Sequence, residues 1–273
     1  MQPISIVGTG ATPFADDLAE RLEGRVALVE CGREVTDGGA AAPTAARPTG
    51  DVETAVSLDD DGSWTGAGTV DGFDDLLDGL APDHDYLVAV GESRLRVPTV
   101  CLGDADPETV AGTVIASAGS RADVDLEPLL VAIDAAEPWI TRETLVRRVE
   151  GSADADRAGA IATFTGRVRA RDAPDDDRTT HLAFEKYDGV AAERMAAIAA
   201  ELTDRDGVFD VRMHHRTGVI EAGEDIVFVV VLAGHRREAF RTVEDGIDRL
   251  KDEVPIFKKE TTEAEEFWVH QRE

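Results

Sequence analysis

Lysine has almost dropped out of this sequence. Only Lys186, Lys251, Lys258 and Lys259 occur among 273 residues, against 24 arginines and 56 acids. Cysteine is as scarce. Cys31 and Cys101 stand far from each other in sequence and from any histidine at ligand spacing, which gives no zinc-type ligand set and leaves a single disulfide as the alternative to free thiols. Two free thiols in a reducing cytosol are expected instead. No apolar run approaches the roughly 20 residues that span a bilayer, and Met1-Gln2-Pro3 leads straight into a strand-like run rather than a signal peptide. A soluble cytoplasmic protein, without membrane contact, is the expectation. Basic stripes are lacking too, so nucleic acid is not an expected partner.

Acid is abundant. The formal charge is -28, yet an apolar fraction of 42% is that of a chain that folds. Abundant carboxylates with little lysine point to a salt-rich cytoplasm, where at 1 M salt a Debye length of about 3 Å screens such a surface. The charge is unevenly shared. Residues 1–156 carry 31 acids, 10 arginines and no lysine, whereas residues 157–273 carry 25 acids, 14 arginines, all four lysines and five of the six histidines. Groups suited to proton and anion chemistry therefore gather in the second half.

The length suits two domains. In the first, Ile4-Ser5-Ile6-Val7, the glycine-bearing turn Gly8-Thr9-Gly10-Ala11-Thr12, an apolar-periodic helix through Phe14, Leu18 and Leu22, and Val26-Ala27-Leu28-Val29 read as a βαβ opening. Such a turn at a helix N-terminus can cradle phosphate. The nucleotide motifs fail here. Pro13, Phe14 and Ala15 stand where a P-loop needs Gly, Lys and Ser/Thr, and Pro13 also replaces the third glycine of the dinucleotide fingerprint. A structural strand-to-helix turn is the expectation. Gly38–Gly50 reads as a loop, Phe73–Leu80 as a helix, Tyr86–Val90 and Pro98–Leu102 as buried strands, and Glu108–Ala116 as a helix. Together they predict an α/β layer domain over 1–118, with a small polar linker at 119–126.

In the second half, 127–273, Thr141 is a plausible N-cap for a helix through Val149. Strands are predicted at Ala158–Val168, His181–Tyr187 and Val208–His215, with a helix at Val190–Leu202 and a turn region at Gly218–Gly223. Ile226–Leu232 is apolar throughout, the pattern of a strand buried on both faces. His235-Arg236-Arg237 opens a helix with Phe240, Val243, Ile247 and Leu250 on one face, which Pro255 stops. Ile256–Glu260 and Phe267–Val269 follow as strands.

The lysine cluster carries the chemistry. An ε-ammonium can serve as acid, base or nucleophile, which a guanidinium cannot. The bland reading is a helix-terminal cation, Lys251, followed by two solvated strand lysines. A chain that has nearly abandoned lysine favours a working site. Strand alternation puts Lys258 on the face of Ile256 and Lys259 on the other, so Lys258 is the inward candidate. His235-Arg236 stands where a buried strand meets a helix N-terminus, a position suited to anions, and Arg167, Arg169 and Arg171 also suit a phosphate. His214-His215 reads as one core-facing and one exposed strand histidine rather than a metal pair. No metal or cofactor is expected.

In order along the chain come GAIATFTGRVR (159–169), Glu185-Lys186-Tyr187, His215-Arg216-Thr217-Gly218, Gly223-Glu224, His235-Arg236 with Ala239-Phe240, Leu250-Lys251, Pro255–Glu260 and Trp268-Val269. This series resembles the large, catalytic subunit of molybdopterin synthase, the MoaE family, over about 127–273. The first domain resembles the molybdopterin-guanine dinucleotide biosynthesis protein B (MobB) family, with a degenerate P-loop and the strand end Val90-Gly91-Glu92. The fold class implied is α/β (α+β): a MoaE-like α/β hammerhead-type domain preceded by a degenerate P-loop-like α/β domain. The resemblance implies sulfur transfer from the Gly-Gly C-terminal thiocarboxylate of a small ubiquitin-like carrier (MoaD-like) to cyclic pyranopterin monophosphate, in molybdenum cofactor biosynthesis. It implies Lys251 and Lys258 as catalytic, Phe164, Arg169, His235 and Arg236 as substrate-binding, and a homodimer within a heterotetramer. The competing reading is a non-catalytic protein that binds pterin intermediates as an escort or scaffold.

Overall fold

The opening βαβ unit forms as its pattern requires. β1 (Gln2–Gly8) is buried along its centre, α1 (Ala11–Ala19) buries Phe14 and Leu18, and β2 (Val26–Glu30) follows. The computed structural model describes residues 1–32, 54–171, 173–187, 189–262 and 266–269. It divides into two units, Met1–Trp139 and Ile140–Glu273. The expected Gly38–Gly50 loop lies outside the described residues.

In the first unit come β3 (Ala55–Leu58), β4 (Trp64–Ala67), α2 (Phe73–Leu80), β5 (Tyr86–Val90), β6 (Thr99–Leu102), β7 (Val114–Ala118) and α3 (Leu126–Ala135). Five strands form one parallel sheet in the order β2-β5-β1-β6-β7. β3 and β4 pair as a separate hairpin. The helix expected over Glu108–Ala116 is absent: Pro107–Thr109 forms a single 3-10 turn and the chain then enters β7. Gly112 decides this locally. A Cβ there would lie 1.9 Å from the Val97 carbonyl oxygen, so the backbone passes too close to the segment before β6 for a helix to turn. The expected boundary moves as well. α3 buries Leu129 and Ile133 in the first unit's core, and the Trp139 ring N–H donates to Asp78 at 2.7 Å. Residues 119–139 therefore pack with the first unit, and the division falls between Trp139 and Ile140 rather than at 119–126.

The second unit holds α4 (Arg142–Glu150), β8 (Ala160–Arg167), β9 (Thr179–Lys186), α5 (Val190–Thr203), β10 (Val208–His215), β11 (Gly218–Glu221), β12 (Asp225–Ala233), α6 (Arg236–Glu253), β13 (Ile256–Thr262) and β14 (Glu266–Val269). Thr141 caps α4 in a capping box with Thr144, an arrangement worth about 1 kcal/mol. β12 is the spine of a three-stranded antiparallel sheet, β10-β12-β8. Its alternation serves two cores. Val227, Val229 and Val231 face α5 and α6, while Phe228, Val230 and Leu232 face α4. That explains why the strand is apolar without interruption.

The second sheet runs β11-β9-β13-β14, all antiparallel. Its inner face, carrying Leu182, Phe184, Ile220 and Ile256, joins the core under α5 and α6. α6 buries Ala239, Thr242, Val243, Gly246, Ile247 and Leu250. Phe240, expected on that face, is 65% exposed. It follows Ala239 by one residue, a rotation of roughly 100° around the helix, which carries it off the buried stripe. No helix among the described residues is long and apolar enough to cross a membrane.

Candidate active site

The end of α6 is held firmly. Glu253 in its last turn pairs with Arg194 of α5 and accepts from Arg249 at 2.7 Å, and Arg249 also reaches Glu201 at 2.6 Å. Such a network fixes one helix end against its neighbour better than isolated surface pairs do. Lys251 stands in that turn, exposed, where an ammonium also complements the helix's negative end. Val254 closes the helix and Pro255 leads into β13. Lys258 pairs across the sheet with Phe184, and Lys259 with Ala183. Lys258 is half-buried on the inner face with Ile256, and Lys259 lies on the other face.

Phe164 sits midway along β8 opposite Val229 and packs on the main core of the unit. Arg169 lies just beyond β8, exposed, after Val168, whose N–H donates to the Glu224 carbonyl. Arg167 forms an exposed pair with Asp225 at 3.0 Å. Arg169 and the two lysines are thus at the end of the unit where β12 begins and α6 finishes. His235 and Arg236 are at the other end. Both are exposed, and His235 caps α6 by its backbone only. β12 pairs Asp225 with Arg167 and Ala233 with Ala160. These levels are eight residues apart, about 26 Å along a strand. No side chain spans that gap. One chain therefore holds His235 and Arg236 away from Arg169, with Phe164 midway between the two levels.

The histidine pair departs from expectation. His215 is buried, with its ring edge-on to Phe184 at 4.9 Å and its Nδ1 2.6 Å from the Arg216 carbonyl oxygen. One of the two was expected to be exposed, and His214 is half-buried instead. Burial first, then the charges of Lys186, His215, Arg216 and Arg148, push its imidazole down to about 3. It is neutral at physiological pH. Lys186 is the residue that sequence reasoning passed over. It stands across from Ile256, two residues along β9 from Phe184, on the face of Lys258. Its scarcity was the available signal, but it is distant from the other lysines in sequence.

In the first unit, a cleft of about 420 Å³ opens at the carboxyl ends of β1, β2 and β5, bordered by the β1–α1 turn, Glu30 and Cys31. Parallel sheets place ligands at such strand ends. The Thr9 end of the turn is already engaged. Asp104 Oδ1 accepts from both the Thr9 backbone N–H at 2.9 Å and the Thr9 hydroxyl at 2.6 Å, and these bonds hold its carboxyl below the usual range. Only Thr9 and Gly10 separate β1 from α1, too short a loop to wrap a phosphate. Gly8, at φ 96°, is locked against β6, because a Cβ there would meet the Leu102 carbonyl oxygen at 1.9 Å. The Cys31 thiol is pushed up by burial and then by Glu92, so it stays protonated. Magnesium-GTP titrated into the full chain at millimolar concentration is expected to release no binding heat. A saturable isotherm would contradict the engaged turn.

A family model described as MoaE protein matches residues 136–253. The probable molybdopterin synthase of Haloferax volcanii is 54% identical over 272 residues, covering 100% of each chain. This chain belongs to the molybdopterin synthase family. The molybdopterin synthase catalytic subunit of Pyrococcus abyssi is 40% identical over 111 residues, 41% of this chain and 74% of its own. A solved MobB homolog from Bacillus stearothermophilus is 18% identical, with a TM-score of 0.34, covering 49% of this chain and 99% of that one. As a member of the molybdopterin synthase family, the chain is an enzyme of molybdenum cofactor biosynthesis. Among the described residues no group of three His, Cys, Asp or Glu is placed to hold a metal.

Proposed function

We propose that the second unit is the catalytic subunit of molybdopterin synthase. It takes one sulfur from the C-terminal thiocarboxylate of each of two small ubiquitin-like carriers and installs both on cyclic pyranopterin monophosphate to form the dithiolene, each carrier leaving with a C-terminal carboxylate. The observation that carries this reading is the placement of Lys251 and Lys258 at the α6–β13 junction, in a chain with so little lysine. Acyl transfer from a thiocarboxylate develops oxyanion charge, and the opened pterin ring needs a proton. Two ammonium groups supply both. Lys251 is the acid/base or oxyanion group, and Lys258 positions the substrate and assists the proton transfer. Phe164 lines the pocket and Arg169 binds the phosphate.

His235 and Arg236 complete the phosphate site from a second copy of the chain. Their distance from Arg169 along β12 supports this, as does the exposed Phe240 one turn beyond Arg236, an apolar group suited to an interface. The enzyme is then a homodimer with a carrier bound at each end. An escort protein would bind the pterin unchanged, and nothing in that role requires lysine where arginine holds phosphate equally well.

The reading is tested by incubating the full chain with a thiocarboxylated carrier and cyclic pyranopterin monophosphate. Dithiolene-bearing product and a carrier ending in carboxylate are expected. Recovery of unchanged pterin bound to the protein would establish the escort instead.

A further inference from the structure

Glu253 has the wrong charge for its place. It stands in the last turn of α6, where the helix's negative end disfavours a carboxylate. Its contacts account for it. Glu253 accepts from Arg249, one turn earlier, at 2.7 and 3.3 Å, and pairs with Arg194 of α5. Arg249 reaches on to Glu201 of α5 at 2.6 Å, and Glu201 lies 3.9 Å from Arg194. Four ion pairs thus close a ring of two acids and two bases, with two members on each helix. Arg249 and Glu253 are 24% and 27% exposed, so the ring is partly withdrawn from solvent. Its tighter contacts are shorter than the Debye length of about 3 Å at 1 M salt, and screening reaches them least.

What the ring joins is specific. On one side is the last turn of α6, with Lys251 two residues before Glu253. Residues so spaced leave a helix about 200° apart, and the ring therefore grips the turn from the side opposite the lysine. On the other side is α5, which begins shortly after β9 ends at Lys186. β9 pairs with β13 and places Phe184 across from Lys258. The direct covalent route from Lys251 to Lys258 passes the non-helical residues Val254 and Pro255. The ring supplies a second route, from Glu253 through α5 and β9 to β13. Two routes fix a spacing that one route leaves free to bend.

We propose that this ring is a positioning device for the sulfur transfer, in which Glu253 and Arg194 set the distance between Lys251 and Lys258. This rests on the synthase reading above. Neither residue gives or takes a proton or a sulfur. A reacting group misplaced by about 1 Å can cost 100-fold in rate, so the effect of the ring appears in turnover and not in binding.

The test uses the intact enzyme with thiocarboxylated carrier and cyclic pyranopterin monophosphate, well below the unfolding temperature. Glu253→Gln removes the charge at nearly constant shape. It is expected to lower the single-turnover rate about tenfold, with pterin KM and carrier affinity unchanged. Arg194→Met, on the other helix, repeats the measurement in case the glutamine variant folds poorly, and the two changes together lose no more than either alone. Arg194→Lys keeps the charge and recovers most of the rate. The deciding arm is the Lys251→Ala background. A residue that acts through Lys251 has nothing left to position there, so Glu253→Gln causes no further loss. A purely structural tie would lower the rate equally in both backgrounds, or lower only the unfolding temperature, and either result overturns the inference. Unchanged turnover in both Glu253→Gln and Arg194→Met overturns it as well. Wild-type enzyme that forms no dithiolene overturns the synthase reading and this inference with it, and the two failures are therefore distinguishable.

Discussion

Lys251→Ala is expected to lower dithiolene formation by roughly 100- to 10,000-fold, the range that general acid–base catalysis supplies. The fold should survive. Lys251 is exposed in the last turn of α6, and its main structural contribution is a favourable charge at the helix end, about 0.3–1 kcal/mol. The Arg194–Glu253 and Arg249–Glu253 pairs fix this turn through other side chains. Single-turnover product formation and thermal unfolding, measured on the same preparation, separate the two effects. Lys259→Ala, on the opposite face of β13, is the matched control and should retain most activity. Near-normal turnover in Lys251→Ala would remove the lysine from the chemistry.

Mixing two dead variants should give back activity. Arg236→Ala and Lys251→Ala alter opposite ends of one chain, so a pocket shared between copies takes one residue from each. In a mixed dimer one pocket carries both defects and the other carries neither. Random assembly from equal amounts makes about half the dimers mixed, each with one of two pockets intact, so activity recovers to about a quarter of wild type. Co-expression with two different affinity tags allows the mixed species to be isolated, where the expected value is about half. Mixed dimers no more active than their parents would place the whole pocket in one chain. The distance of about 26 Å between the two ends of β12 makes that outcome hard to reconcile with the fold.

The strongest elements were readable because a single physical signal dominated each. β12 is apolar at every central position, and α6 shows its three- and four-residue spacing before Pro255 ends it. The helix expected at Glu108–Ala116 failed because the deciding contact, Gly112 against the Val97 carbonyl, is tertiary. α3 went unread for a related reason. Leu129 and Ile133 find their partners in the first unit's sheet, and the small polar residues before them suggested a linker. At the candidate site, residue types were legible and their grouping was not. Motif order places His235-Arg236 close to Lys251, while the return of α6 along β12 separates them. Lys186 was hidden for the converse reason, because a strand register joins residues that are 72 positions apart.

Asp104 gives the first unit a property that no diffusible anion could. A ligand tethered through its own backbone is present at a fixed local concentration, so the Thr9 turn is saturated whatever the cell contains. Acid is the reagent that reaches it. The folded carboxyl lies below its ordinary value, so its contribution is complete above that value, about 3.9 in an unfolded chain, and is lost as pH falls through the lowered one. Across the whole physiological range the turn behaves as a permanently occupied receptor, with its occupant written into the sequence.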